Sequence, residues 1–337
     1  MTRFDFLPVS REDMRERDWY YYDFLIVTGD AYVDHPSFGT AVIGRVLEAE
    51  GFRVAVLAQP RWKDATDFTA MGAPRFGVLI NAGNLDSMVA HYTASKKRRH
   101  DDAYSPGRKA GRRPDRAVTV YSRLAREAFP GLPIIIGGLE ASLRRFAHYD
   151  YWADRVMPPI LADAGADLLV YGMGERAVLE IARRLRKKEP VASITDVRGT
   201  AFLADSKEAC RFEAVECPAY EDVARDKRRY AEAAMIQYDE HDPVRGRAVI
   251  QPCMGRYLIV NPPQMPLTTG IRPGQRAALR PGAPSDVREG GGRAGHPGSA
   301  VFHHPQPGVL RRLPFLFPGL PPGAHGHRPQ PRLRPPG

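Results

Sequence analysis

The feature that most constrains this chain is a repeating unit: a short apolar run, a glycine-bearing or polar turn, then apolar residues at helical spacing. Phe24-Leu25-Ile26-Val27 leads into Thr28-Gly29-Asp30, and Leu132–Ile136 leads into Gly137-Gly138. Asp167–Tyr171 leads into Gly172-Met173-Gly174-Glu175, while Val54–Ala58 and Gly77–Ile80 are further runs of the same kind. Runs this short and this evenly apolar predict strands buried on both faces. The segments Ala41–Glu50, closed by Gly51, the stretch from Glu140, and Ala177–Leu185 carry the spacing of amphipathic helices. Strand and helix in alternation predict an α/β fold: an open, mostly parallel sheet with helices on both faces, Rossmann-like, over residues 22–215. Residues 1–21 precede it as an N-terminal segment. In residues 216–269, Tyr220–Tyr238 has no internal Pro or Gly and predicts one long charged helix. Ala248–Ile250 and Tyr257–Val260 predict a strand pair turned at Met254-Gly255, ended by Asn261-Pro262-Pro263.

Ligands of such sheets sit at the carboxyl ends of the strands. Thr28, Asp30, Tyr32, Asp34 and His35 crowd the first of those ends and form a candidate ligand crevice or acid/base pair. The competing reading has Asp30 and Asp34 capping turns and His35 packing. Gly137, Gly138 and Gly172 permit close backbone approach to a ligand, and Glu140 and Glu175 stand where they would cap helix N-termini. No catalytic residue is singled out, and no metal ligand set either: Cys210, Cys217 and Cys253 show no metal-binding spacing and read as plain thiols.

The net charge of +10 suggests nucleic acid only until it is located. The last 67 residues, Ile271–Gly337, hold 10 Arg, no Lys and two acids, with 14 of the 31 prolines and 12 of the 31 glycines, which leaves +2 for the rest. That composition predicts a disordered Pro/Gly/Arg-rich tail over residues 270–337. The basic stretch Lys96–Arg116, flanked by Asp101, Asp102 and Asp115, predicts a solvated loop rather than a nucleic-acid patch. No apolar run approaches the roughly 20 residues of a membrane span, so no membrane partner is expected. The N-terminus lacks a signal-peptide pattern, and the expected location is the cytoplasm.

Taken together, the strings VTGDAYVDHPSFGTAVIGRVLEAEGFRVAVLAQPRW (27–62), NAGNLDSMVAHYTASKKRRHDDAYSPG (81–107), RRPDRAVTVY (112–121), IIIGGLEASLRRFAHYDYW (134–152) and NPPQMPLTT (261–269) resemble the N-terminal region of YgiQ-type radical SAM proteins. The resemblance covers roughly residues 5–269. It implies that a radical SAM barrel follows the NPP-x-x-PL segment, with a Cys-x-x-x-Cys-x-x-Cys motif holding a [4Fe–4S] cluster whose open iron binds S-adenosylmethionine. Three thiolates leave one iron free for that ligand. The region is also similar to a cobalamin-binding fold, but Asp34 and His35 are adjacent, so the D-x-H-x-x-G pattern is absent and cobalamin is not expected.

After Thr269 the cysteine motif does not come. Read one base later, the codons of Gly270–Val287 are compatible with EFDRVSALPYARAPHPTY, and those of Val309–Gly319 with CFGGCPFCSLA. The first resembles the family's continuation, and the second contains the missing cysteine spacing. The tail therefore reads as a frameshifted stretch of a radical SAM gene. As written, the chain is expected to be catalytically inactive and to bind neither cluster nor S-adenosylmethionine, the substrate being an unspecified small molecule or macromolecule. The alternatives are a non-catalytic ligand-binding or scaffold module, and RNA binding through the tail.

Overall fold

The computed structural model describes residues 6–266; the tail expectations lie outside them. Eleven strands are described. They are β1 (Phe24–Thr28), β2 (Val54–Ala58), β3 (Gly77–Asn81), β4 (Ile134–Ile136), β5 (His148–Asp150), β6 (Arg155–Met157), β7 (Leu168–Val170), β8 (Thr200–Ala204), β9 (Ala214–Glu216), β10 (Ala248–Cys253) and β11 (Arg256–Val260). The helices are α1 (Arg11–Glu16), α2 (Gly39–Ala49), α3 (Thr66–Thr69), α4 (Ser87–His91), α5 (Ala117–Ala128), α6 (Gly138–Leu143), α7 (Ile160–Ala164), α8 (Glu175–Arg186), α9 (Tyr220–Arg225) and α10 (Lys227–Asp239). Among the described residues no helix is long and apolar enough to cross a membrane.

Nine strands form one sheet in the order β2-β1-β3-β4-β7-β8-β11-β10-β9, and β5 and β6 form a separate hairpin. The β2-β1-β3-β4-β7 half is parallel throughout. β8 then runs antiparallel to β7 and to β11, and β10 antiparallel to β11, so the sheet is mixed but mostly parallel. This is the expected α/β architecture. The strands alternate between two cores. Leu25, Val27, Val78, Ile80, Ile134 and Ile136 face α3, α5 and α7. Phe24, Ile26, Val54, Val56, Leu79 and Ile135 face α2 and α8. Ile134 and Ile136 are wholly buried, and each contributes about 1.5–3 kcal/mol of apolar burial.

The continuous helix expected over Tyr220–Tyr238 is broken. Asp226 takes an extended conformation (φ −125°, ψ 119°) between α9 and α10, and its side chain accepts from the Arg228 amide at 2.7 Å. An aspartate that can cap the second helix competes with continuing the first. The Lys96–Arg116 stretch is not uniformly solvated either. Arg113 is 1% exposed and Asp102 is 4% exposed, because this loop folds back over the carboxyl end of β1.

Candidate functional site at the carboxyl edge of the sheet

In the chain, β2 lies to one side of β1 and β3 to the other, so the strand order reverses between β1 and β3. A crevice opens at such a switch point. Thr28 and Asn81 end the two strands there, side by side in register. Thr28 Oγ1 donates to Asn81 Oδ1 at 2.9 Å, the Gly83 amide donates to the same oxygen at 2.8 Å, and Asn81 Nδ2 donates to Thr40 Oγ1 at 3.2 Å. Asn81 thus ties both strand ends to the first turn of α2. Gly138 adjoins it from the β4 side with φ +77°, a left-handed conformation that favours glycine.

Asp30 lies behind this edge, 2% exposed. It accepts from Arg113 Nη1 at 2.7 Å and from the Asn84 amide at 2.7 Å. The same guanidinium donates to Asp102 Oδ2 at 2.6 Å and to the Ala82 carbonyl at 3.0 Å. One cation between two buried carboxylates neutralises only one of them. Burial pushes Asp30 up to about 6 from its ordinary 3.8, against the opposing pull of Arg113, while the Asp102 charge adds to the rise.

Asp34 points elsewhere. Fully buried, it receives a two-pronged contact from Arg45 of α2, with Nε at 3.0 Å and Nη2 as the second donor. Arg45 also donates to Glu48 at 2.5 Å. Tyr32 is buried with its hydroxyl accepting from the Leu7 amide at 3.2 Å. Half-buried His35 accepts the Ser37 amide on Nδ1 at 3.1 Å, and burial lowers its basicity. The two carboxylates of this segment therefore engage separate arginines on separate elements.

Glu140 caps helix N-termini as expected, but those of two other helices rather than of its own. Oε2 accepts from the Ser87 amide, which opens α4, at 2.8 Å, and Oε1 accepts from the Val118 amide in the first turn of α5 at 3.0 Å. Ser87 Oγ takes the neighbouring Ala117 amide at 3.1 Å. Glu140 is 1% exposed, and this pair of amides offsets the cost of its burial. Glu175 opens α8 after Gly172 (φ +71°) and Gly174, with its Oε2 buried and without a hydrogen-bond partner. Of the expected residues, Thr28 and Asp30 gather at the β1 end with Gly137 and Gly138 across Asn81, and Gly172 and Glu175 end the neighbouring β7. Sequence reading missed Asn81, Thr40, Asp102 and Arg113. An Asn ending an apolar run, as Asn81 does, was the available signal for the first.

The three cysteines are apart in role. Cys217 and Cys253 are buried, and burial pushes their thiols up to about 12 and about 11; Cys210 is half-buried with Sγ against the Phe212 carbonyl. Among the described residues no group of three or more His, Cys, Asp or Glu side chains is arranged to hold a metal ion.

Residues 6–271 match the family model described as Radical SAM N-terminal. A UPF0313 protein of Clostridium botulinum (strain ATCC 19397 / Type A) is 55% identical over 268 residues, 80% of this chain and 41% of the relative. A UPF0313 protein of Clostridium perfringens (strain SM101 / Type A) is 52% identical over 268 residues, 80% of this chain and 40% of the relative. The chain thus spans about two fifths of the length of these curated relatives. Among solved structures, the radical S-adenosylmethionine methyltransferase TsrM from Kitasatospora setae, with tryptophan substrate and a SAM analogue bound, matches with TM-score 0.36 and 18% identity, covering 60% of this chain and 34% of that one.

Proposed function

Because the chain belongs to the radical SAM N-terminal family, we propose that residues 6–266 are the scaffold that precedes the cluster-bearing part of a radical SAM iron–sulfur protein, and that the chain as written does not perform the radical reaction. The family implies S-adenosylmethionine and a [4Fe–4S] cluster, and a cluster needs thiolates close together in one loop. The observation that carries the proposal is the placement of the thiols. Burial holds Cys217 and Cys253 in the protonated form, and Cys217 also receives a contact from Gln251 Nε2 at 3.7 Å. These residues do not fit the group, and no step through it is assigned to them.

The crevice supports the same reading. Asp30, Asp34 and Glu140, the acids most suited to chemistry there, hold Arg113, Arg45 and two helix N-termini. They join the loops at the carboxyl edge into a rigid platform. On this reading the residues from Gly270 onward are an out-of-frame translation of the cluster domain, and the protein works in the cytoplasm on a substrate other than nucleic acid. The family match ends at residue 271 while the chain runs on to residue 337, which supports a break there. Anaerobic reconstitution of the 337-residue chain with ferrous iron and sulfide tests the proposal. The expected result is no visible cluster absorbance and no cleavage of S-adenosylmethionine. A stable cluster on this chain overturns it.

A further inference from the structure

The β5–β6 hairpin stands apart from the main sheet, and two strands alone are marginal in water. Its turn is fastened by Asp150, which accepts from the Trp152 and Ala153 amides at 2.9 and 2.8 Å and from Arg116 at 3.0 Å. The Tyr149 amide donates to the Tyr230 hydroxyl of α10 at 3.3 Å. The tip is aromatic. The Tyr151 and Trp152 rings are 6.2 Å apart, Tyr92 packs on Trp152 at 4.3 Å, and the Lys96 ammonium lies over Tyr151 and Trp152 at 4.8 and 5.4 Å. The Tyr151 hydroxyl donates to the Ala94 carbonyl at 2.7 Å, which ties the hairpin to the loop after α4. Val89 of α4 and Leu143 of α6 belong to the same region, since Arg144, next to Leu143, pairs with Asp86, the cap of α4. Val89, Leu143, Tyr149 and Tyr151 are each 45–55% exposed. Scattered apolar residues on a surface need no explanation, but a connected group rich in Tyr and Trp marks an interaction surface.

The path of the chain indicates what covers it. The Asn261 carbonyl accepts from the Tyr171 hydroxyl, and the Pro262 carbonyl accepts from the Gly199 amide at 2.7 Å, so the segment after β11 is fixed at the carboxyl edge of the sheet. There Asn261 and Tyr171 line one small cleft with Arg145 and Phe146, the residues that lead into β5. The covalent path into a following domain therefore starts beside the base of the hairpin. The C. botulinum relative carries more than half of its length outside the matched 268 residues, enough for such a domain.

We propose that the face formed by Val89, Leu143, Tyr149, Tyr151 and Trp152 is the docking surface for the cluster-bearing domain of the in-frame protein, an inference that rests on the scaffold reading above. Tyr and Trp bring large contact area with few rotatable bonds to freeze. In the 337-residue chain this face lacks its partner.

Hydroxyl-radical footprinting read by mass spectrometry tests it, comparing the 337-residue chain with the product of the gene restored to frame by one base deletion before the Gly270 codon. Oxidation of Tyr149, Tyr151 and Trp152 should slow by about threefold or more in the restored product, because an interface core excludes water. Tyr20, 94% exposed just before β1, serves as the unchanged control. Tyr151→Glu in the restored product should return Tyr149 to the faster rate. A restored product that binds iron yet leaves the three residues as reactive as before overturns the docking surface alone; one that folds and shows neither iron nor protection overturns the scaffold reading with it. Protection in the 337-residue chain that grows with its concentration would assign the face to a second copy and overturn the proposal too. Should the restored product not fold, hydrogen exchange of the aligned hairpin in the full-length C. botulinum relative takes its place, where slow exchange is expected and free exchange refutes the docking.

Discussion

At the scale of single residues, the folded region depends on buried charges that reach far along the chain. Arg113 is the clearest case, since it bridges Asp30 and Asp102 with no solvent exposure of its side chain. Removing it by Arg113→Met strands two buried carboxylates, which is expected to cost about 3–5 kcal/mol near pH 8. The sign with pH follows from Asp30. Its folded value of about 6 lies above its ordinary 3.8, so the folded state binds the proton more tightly than the unfolded chain. Stability from this group is then full below the lower value and falls as pH rises through the higher one. Without Arg113 that fall deepens, so urea denaturation should show a smaller loss at pH 5 than at pH 8; equal losses would refute the account. Glu140→Gln tests the second buried acid. A glutamine keeps one acceptor but turns an amide toward the other donor, so it should cost about 1–3 kcal/mol and speed hydrogen exchange at the Ser87 and Val118 amides. A variant of unchanged stability would mean that Glu140 is not what holds the two helix starts.

At the scale of elements, the α9–α10 break turns on one cap. Asp226→Ala removes the acceptor for the Arg228 amide and should cost about 1 kcal/mol, read as a lower denaturation midpoint with faster exchange at Arg228. No change would mean that the break is set by packing instead. The close approach of the loops after β1 and β3 gives a sharper test. A Cβ added at Gly29 would stand 2.3 Å from the Ala82 carbonyl oxygen, a backbone atom that cannot step aside, so Gly29→Ala should destabilise more than an ordinary glycine-to-alanine change in a loop. The same elements show how far a sequence can be read. Ile134-Ile135-Ile136 announces its strand because apolar runs of that length have few other uses, and the crevice follows because sheet topology places it at the ends of such runs. The Asp30–Arg113 pair spans 83 residues, and Arg113 sits in a stretch crowded with Lys and Arg. Local pattern cannot distinguish the one arginine that turns inward, because only the folded loop brings a carboxylate to meet it. Nor could Glu140 be placed, since a carboxylate one turn into a helix has the same local signature whether it caps its own amides or those of two neighbours.

At the scale of the whole molecule, the decisive question is why a chain that matches its family over residues 6–271 carries no cluster motif. The last 67 residues, Arg-rich and free of Lys, have the composition of a GC-rich gene read out of frame. The shifted reading supplies a continuation immediately after the break and, in the same frame and further on, a Cys-x-x-x-Cys-x-x-Cys spacing. A shifted frame fixes two of every three bases in each codon, so either match alone would be weak; their order and common frame are what give them weight. Deleting one base just before the Gly270 codon should therefore restore an open frame through both segments. Its product, purified anaerobically and reconstituted, should take up about four irons per chain and show cluster absorbance that the 337-residue chain lacks. Codons at Val309–Leu316 that cannot encode those cysteines, or a restored product that folds yet binds no iron, would refute the frame assignment. In either case the charge argument would reopen, because the +8 of the tail would then belong to a translated arm that needs a partner of its own.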